Sequence, residues 1–161
     1  MTRQPACHHA VTADDAPAIW FSGTLATIKA AGDQTGGRLA VVEFLCPPGF
    51  ATPRHVHHAE DEAFVVLEGS LSGFCGESAW AGSPGSLVWL PRDVEHGFSV
   101  DPGGTARIVA ITTPAGFERF VTEAGVPAER RTLPPDGPPD IERLIAAAAQ
   151  HGQEILGPPP G

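Results

Sequence analysis

The sequence predicts an all-β protein whose short strands close into a barrel or jelly roll. Short apolar stretches recur along the chain, and most of its 19 glycines and 17 prolines fall between them. That alternation is typical of a protein with many turns. The clearest stretches are LAVVEFLC, EAFVVLEG and ARIVAITT, which are rich in the β-branched and aromatic residues that strands favour. Closing such strands into a barrel removes exposed sheet edges.

Three parts are expected along the chain: a flexible tail over residues 1–15, a β-barrel over 16–113 and a helical, proline-rich extension over 114–161. Within the barrel an opening strand is predicted inside residues 19–30. The segment GESAWAGSPG, residues 76–85, is predicted to be a turn. Further strands are predicted at 39–46, 54–58, 62–69, 71–74, 86–90, 96–100 and 106–113.

After Pro114 the pattern becomes helical. Apolar residues at helical spacing predict one helix that ends at Gly125, and Asp140 is expected to cap a second helix over residues 141–151. A proline-rich connector separates the two helices, and GPPPG at the end is expected to be disordered. A short amphipathic helix is marginal alone. The second helix should therefore pack on the barrel or on a second subunit, which favours a homodimer.

Composition narrows the possible partners and the compartment. The 161 residues suit one domain, and the net charge of −9 argues against nucleic acid, which attracts basic patches. No apolar run is long enough to span a membrane, and MTRQPACHHA contains no secretory h-region. Three cysteines without a CxxC pair indicate reduced thiols, so a cytoplasmic protein is expected.

A candidate metal site lies in GFATPRHVHHAEDEAFVVLEG, residues 49–69. His55 and His57 would share one face of a strand, while His58 would point the other way. A bend over 58–61 would return Glu62 to the pair, and His96 follows a proline turn suited to a barrel mouth. Three imidazoles and one carboxylate suit one divalent transition metal among Fe, Mn, Co, Ni, Cu and Zn. An isolated HxH lies more often in a solvated loop than in a metal site. The spacing of the surrounding residues therefore has to distinguish the two.

The spacing resembles the paired motifs of the cupin superfamily. The first motif, G-x5-H-x-H-x(3,4)-E-x6-G, matches in full at Gly49, His55, His57, Glu62 and Gly69. The second, G-x5-P-x-G-x2-H-x3-N, matches at Gly85, Pro91 and His96. Asp93 replaces its inner glycine and Val100 its asparagine, and Asp tolerates the left-handed backbone better than most residues. TGG at 35–37 and TPAGFERF at 113–120 are similar to small single-domain cupins of the quercetin 2,3-dioxygenase-like group.

The resemblance implies a jelly-roll barrel with His55, His57, Glu62 and His96 as metal ligands. Glu60 and Asp61 are expected to be solvated acids or to support the ligands from behind. If Glu62 and His96 face inward, strand alternation predicts that a second set of side chains lines an apolar substrate pocket: Phe64, Val66, Phe98 and Val100. Such a pocket favours an aromatic, flavonol-like or polyketide-like small molecule. The chain has no tyrosine, so no tyrosyl acid is available.

Three functions follow from this reading. The first, implied by the resemblance, is a metal-dependent dioxygenase that uses O2, with Glu62 serving as both ligand and catalytic base. The alternative is a non-redox isomerase, cyclase or lyase, in which Glu62 or His58 moves a proton. The third is a small-molecule-binding or sensor barrel.

Overall fold

The computed structural model describes residues 8–160 and confirms the all-β class: two antiparallel sheets face each other, with short helices packed at one end. Among these residues the larger sheet has the order β11-β1-β2-β3-β10-β5-β8 and the smaller one β12-β4-β9-β6-β7. Part of the predicted flexible tail, residues 1–7, and the final glycine of the predicted disordered end lie outside the described residues.

Residues 8–160 contain twelve strands and three helices. The strands are β1 (Ala18–Phe21), β2 (Thr24–Ala30), β3 (Ala40–Cys46), β4 (Arg54–His57), β5 (Asp61–Glu68), β6 (Leu71–Cys75), β7 (Ser78–Gly82), β8 (Leu87–Leu90), β9 (His96–Val100), β10 (Ala106–Thr113), β11 (Val126–Pro127) and β12 (Gln153–Gly157). The helices are α1 (Gly32–Thr35), α2 (Phe117–Ala124) and α3 (Ile141–Gln150).

The core lies between the two sheets. Burial alternates along β3, β5 and β10, so every second side chain of these strands points inward. Ile108 pairs with Phe44 on one side and Val66 on the other, which builds a continuous apolar inner face. The rings of Phe64 on the larger sheet and Phe98 on the smaller one meet edge to face, with centroids 5.2 Å apart. This contact joins the two sheets across the barrel.

Two local predictions need correction. The strand expected inside residues 19–30 is a hairpin, because Ser22 and Gly23 take positive φ values of 49° and 84° and reverse the chain. The turn expected over 76–85 contains β7, which pairs with β6. Trp80 of β7 lies directly opposite Gly73, and only a glycine leaves space there for the indole ring. That pairing is a tertiary effect that the small residues around Trp80 do not signal.

The C-terminal helices form where they were expected. The Asp140 side chain caps α3 by accepting a hydrogen bond from the backbone N–H of Arg143 at 3.0 Å. After α3, Gly152 turns the chain and β12 adds to the smaller sheet beside β4, a strand that the sequence did not indicate. Within residues 8–160, no helix combines the length and the apolar character that crossing a membrane requires.

Candidate metal centre

The two sheets bring His55, His57, Glu62 and His96 together at one end of the barrel. His55 and His57 share a face of β4, and His96 opens β9 as the direct partner of His55. Glu62 comes from β5 in the larger sheet. His57 and His96 are 1% exposed and Glu62 is 3% exposed.

The three imidazoles lie close enough together to hold a metal ion. The three imidazoles each offer a ring nitrogen, and these nitrogens all lie within 4.8 Å of one another. Oε2 of Glu62 is 3.4 Å from Nε2 of His96 and 3.6 Å from Nε2 of His57. These separations bring the three imidazoles close enough to share one cation, with Glu62 beside His57 and His96.

The hydrogen bonds behind the imidazoles fix which nitrogen faces the centre. Each ring donates its Nδ1 proton to an oxygen: His55 to the carbonyl of Pro53 at 2.7 Å, His57 to the carboxylate of Glu60 at 2.7 Å, and His96 to the carbonyl of Val94 at 3.0 Å. Since these oxygens can only accept, Nε2 of each neutral ring carries a lone pair. Nε2 of His96 is buried and makes no hydrogen bond to any part of the chain between residues 8 and 160. This donor set fits a divalent transition metal.

The protonation of the cluster suits cation binding. Burial, reinforced by the neighbouring His96 and His57, lowers the pKa of His55 to about 3, so this ring is neutral near pH 7. Burial opposes charge on His57, but the charge of Glu62 and the hydrogen bond to Glu60 raise its pKa overall. Burial likewise opposes charge on Glu62, yet His57 and His96 lower the pKa of that carboxyl. The centre therefore contains an ionised carboxylate beside imidazoles.

Glu60 is a supporting residue whose part the sequence left open between two possibilities. Its side chain is 2% exposed and holds His57 from behind, so it is not a solvated acid. Its position three residues after His57, in the bend before β5, is the only signal of this role in the sequence. Asp61 instead binds Arg92 through a two-pronged ion pair at the surface.

His58 lies outside the centre, as strand alternation predicts. Its side chain is 47% exposed and donates to Asp93 at 2.7 Å and to Glu154 at 3.0 Å. These two hydrogen bonds raise the pKa of His58. Because His58 does not line the cavity beside the imidazoles, it is poorly placed to move a substrate proton. Its partner Asp93 has φ of 65°, the left-handed backbone that glycine takes at this position of the motif.

An apolar cavity opens from the centre, where His55, His57 and Glu62 form part of its wall. Seven of the eight phenylalanines of the chain line it: Phe21, Phe44, Phe50, Phe64, Phe98, Phe117 and Phe120. Of the side chains predicted to form the pocket, Phe64 and Phe98 line the cavity. Val66 and Val100, 1% and 3% exposed, are buried in the core and are not part of the wall.

The C-terminal segment contributes wall residues that the sequence analysis missed. They are Phe117 and Phe120 from α2, Leu144 from α3, and Gln153 and Ile155 from β12. All five follow the two motifs in the chain and lie outside the strands that carry them. Nothing local to residues 153–157 indicates that this segment pairs with β4.

The fold and the centre define the class of protein: a jelly-roll barrel with a three-histidine cluster able to hold a metal ion. Residues 42–112 match the sequence profile of the family described as the cupin domain. The predicted resemblance to the cupin superfamily is therefore confirmed over this part of the chain.

Individual relatives differ in how much of the chain they cover. Quercetin 2,3-dioxygenase of Bacillus subtilis is 29% identical over 107 residues, which are 66% of this chain and 32% of that protein. The chain thus spans about a third of the length of this curated relative. The polyketide cyclase RemF from Streptomyces resistomycificus matches in structure with a TM-score of 0.56 and 21% identity, covering 93% of this chain and 94% of that one.

An RmlC-like cupin from Shewanella frigidimarina gives a TM-score of 0.61 at 15% identity and covers 72% of this chain and 99% of its own. At these identities the two structural matches establish the fold.

Proposed function

We propose that this protein is a metal-dependent cupin enzyme, and specifically a dioxygenase that acts on a small aromatic, flavonol-like or polyketide-like substrate. The observation that carries the proposal is the position of the histidine cluster, which faces a cavity walled by phenylalanines. The sequence similarity to a quercetin 2,3-dioxygenase over 107 residues supports the reaction type.

The proposed metal ligands are His55, His57, His96 and Glu62. When bound, a divalent transition metal would supply Lewis acidity and, if it is redox-active, the means to activate O2. The chain contributes three imidazoles, each held through its Nδ1 hydrogen bond, and one ionised carboxylate. Four protein ligands leave positions for substrate on a metal that accepts five or six.

The cavity wall favours an uncharged aromatic substrate. Among the residues that the structure describes, none of those lining the cavity is lysine or arginine. Away from the proposed metal, a phosphate or carboxylate group on the substrate would therefore be desolvated without an opposite charge, which is unfavourable. Aromatic rings, in contrast, pack well against phenylalanine in edge-to-face or offset geometry.

Glu62 is the proposed catalytic base. It lines the cavity, it is buried, and its lowered pKa keeps it ionised near pH 7. An ionised carboxylate beside a bound enol or phenol accepts the hydroxyl proton and leaves the substrate oxygen negatively charged. The surrounding phenylalanines exclude water from the reacting atoms.

A non-redox cyclase, isomerase or lyase is the second candidate. The specific observation in its favour is the match to a polyketide cyclase over 93% of this chain, which extends through most of the C-terminal segment. In such a reaction Glu62 would again accept a substrate proton and then return it to a different atom. A sensor barrel, the third candidate, has no need of a buried base facing the cavity.

Oxygen uptake separates these candidates. We would load the protein with Fe, Mn, Co, Ni or Cu, add quercetin or a β-diketone, and record dissolved O2 together with the products. The dioxygenase predicts stoichiometric O2 consumption that is lost in His57→Ala and kept in His58→Ala. Conversion or solvent-deuterium exchange without O2 consumption would favour the second candidate, and binding without conversion would favour the sensor.

We also propose a homodimer in the cytoplasm that binds neither nucleic acid nor membrane. Two exposed apolar surfaces support self-association. Leu87 and Trp89 on the edge strand β8 are 66% and 54% exposed, and Ile141 and Ile145 on α3 are each 51% exposed. Sedimentation velocity should give the mass of a dimer at micromolar concentration, whereas a monomer throughout would contradict this.

A further inference from the structure

Gln153 is a polar residue in the cavity wall that the proposed chemistry has not used. It begins β12, outside the cupin-domain match over 42–112, and it is the direct antiparallel partner of His57. Directly paired residues project to the same face of a sheet, with Cβ atoms about 4.5–5.5 Å apart. Gln153 therefore lies beside the histidine cluster, in the wall of the cavity.

The amide group of Gln153 is buried with a free donor. The residue is 7% exposed, and its Nε2 makes no hydrogen bond to any described residue of the chain. Thr24, another buried polar residue of the wall, donates its hydroxyl to the carbonyl of Phe21 at 2.6 Å. A buried N–H group without an acceptor is unfavourable, and in the wall of a cavity a bound molecule can supply the missing acceptor.

We propose that the amide of Gln153 donates a hydrogen bond to an oxygen of the substrate, and so selects aromatic substrates that carry a carbonyl, enol or phenol oxygen close to the reacting group. The proposal rests on the proposed function, since it concerns the same cavity. A neutral amide suits this task because it supplies a donor without placing a charge in a phenylalanine-lined cavity. The phenylalanines would select the aromatic ring system of the substrate, and Gln153 would select its oxygen substituent.

The chemistry of the side chain separates this role from metal binding. The free atom is Nε2, which carries protons and has no lone pair to offer a cation. A metal ligand would have to be the amide oxygen. The two roles therefore predict opposite results for metal content when the amide is removed.

Gln153→Met tests the proposal, because methionine has a similar length and lacks the donor. The matched control is Gln150→Met at the exposed end of α3. The zinc-loaded proteins, which cannot turn over an oxidation, are titrated by fluorescence with 3-hydroxyflavone and with 2-phenylnaphthalene, a hydrocarbon of similar shape. We expect the Kd for 3-hydroxyflavone to rise about tenfold in Gln153→Met, and the Kd for the hydrocarbon to stay equal or fall. Gln150→Met should change neither value.

Each alternative outcome has a distinct meaning. Parallel changes of both Kd values would overturn the role of Gln153 while leaving the substrate class intact. Loss of zinc from Gln153→Met would also overturn it, because the residue would then belong to the metal site. If the wild-type protein binds neither compound, both the inference and the proposed substrate class fail. Gln153→Glu, which keeps the shape but replaces the donor with an acceptor, should weaken 3-hydroxyflavone binding at least as much and covers the case in which Gln153→Met does not fold.

Discussion

Glu60 accepts a hydrogen bond from Nδ1 of His57 at 2.7 Å, and both side chains are 2% exposed. The carboxylate holds the ring in the tautomer that leaves Nε2 free and faces it toward His96 and Glu62. Partners of this kind, behind a ligating imidazole, fix its orientation and raise its basicity. The pair links the bend after β4 to the proposed metal centre.

Removal of this partner should weaken metal binding. Glu60→Ala is expected to lower zinc affinity about 10- to 100-fold, as measured by competition with a chelator. Glu60→Gln should lose less, because its amide oxygen still accepts from Nδ1. Asp61→Asn is the matched control, since Asp61 binds Arg92 and not the cluster. Equal losses in Glu60→Ala and Asp61→Asn would show that the loss is not specific to the bond with His57.

Metal affinity should fall on acidification. A metal binds only the unprotonated ring, and the pKa of His57 lies above its ordinary value, whereas His55, with a pKa of about 3, stays neutral. Zinc affinity should therefore fall as pH drops from the alkaline to the acid side of the folded-state pKa of His57.

In the metal-free protein, the effect of acidification on stability is the opposite of its effect on metal affinity. Protonated His57 contributes to the free energy of unfolding, because its pKa is raised in the folded state. This contribution is fully present below the unfolded-state pKa and is lost as pH rises through the folded-state pKa. Thermal melts of both forms across this range, and in His57→Gln, measure the two effects. A zinc affinity that does not depend on pH would contradict this account.

The left-handed backbone of Asp93 should make its replacement by alanine unfavourable. With φ of 65°, Asp93→Ala should destabilise the protein by about 1–2 kcal/mol. Asp93→Gly should be close to neutral, because glycine takes this backbone freely and only an exposed contact with His58 is lost. Urea unfolding of the metal-free proteins gives both values. Equal stability of the two variants would show that the backbone is not strained.

Two motif glycines should differ in how strongly an alanine substitution destabilises the protein. A Cβ at Gly69, where φ is 81°, would lie 2.4 Å from the carbonyl oxygen of Thr105, so Gly69→Ala should destabilise by roughly 2–4 kcal/mol. Gly85 has φ of 93° but no atom within 4 Å of such a Cβ. Gly85→Ala should therefore cost about 1–2 kcal/mol from backbone strain alone. Chemical denaturation gives the free energy of unfolding of both variants. A larger loss of stability in Gly85→Ala than in Gly69→Ala would contradict the close packing at Gly69.

The buried thiol of Cys46 should make the fold sensitive to alkali. Burial raises its pKa to about 12 from the ordinary value of 9.0. The neutral thiol does not destabilise the fold at pH values below its unfolded-state pKa. As pH rises from the unfolded-state pKa to the folded-state pKa, the free energy of unfolding falls, by about 1.4 kcal/mol at about pH 10. Comparison with Cys46→Ala in urea at neutral and alkaline pH isolates the effect. Rapid alkylation of native Cys46 at about pH 8 would show that the thiol is not buried in this way.

The fold class could be predicted from local alternation, and the four clustered side chains from the resemblance of their spacing to the cupin motifs. Alternation along β3, β5 and β10 marks their inner faces, and the spacing of His55, His57 and Glu62 follows from one strand and one bend. The parts that could not be predicted depend on pairing between distant segments. β12 is short and follows a helix, so its place beside β4, and with it the position of Gln153, comes from tertiary contacts.

The wall of the cavity illustrates the same limit. Alternation correctly makes Val66 and Val100 inward-facing and buried, but whether an inward side chain meets the cavity or the packed core depends on depth in the barrel. Sequence alone does not give that depth. The wall formed by α2 and α3 depends on how the helices dock across the barrel end.

The most direct test of the account is the metal content of the purified protein, measured by elemental analysis with and without soaking in Fe, Mn, Co, Ni, Cu or Zn. Wild-type protein and His58→Ala should each hold roughly one ion per chain. His57→Ala should hold almost none while its circular dichroism remains that of a folded β-protein. Unchanged metal content in His57→Ala, or a wild-type protein that takes up no metal at all, would contradict the proposed centre.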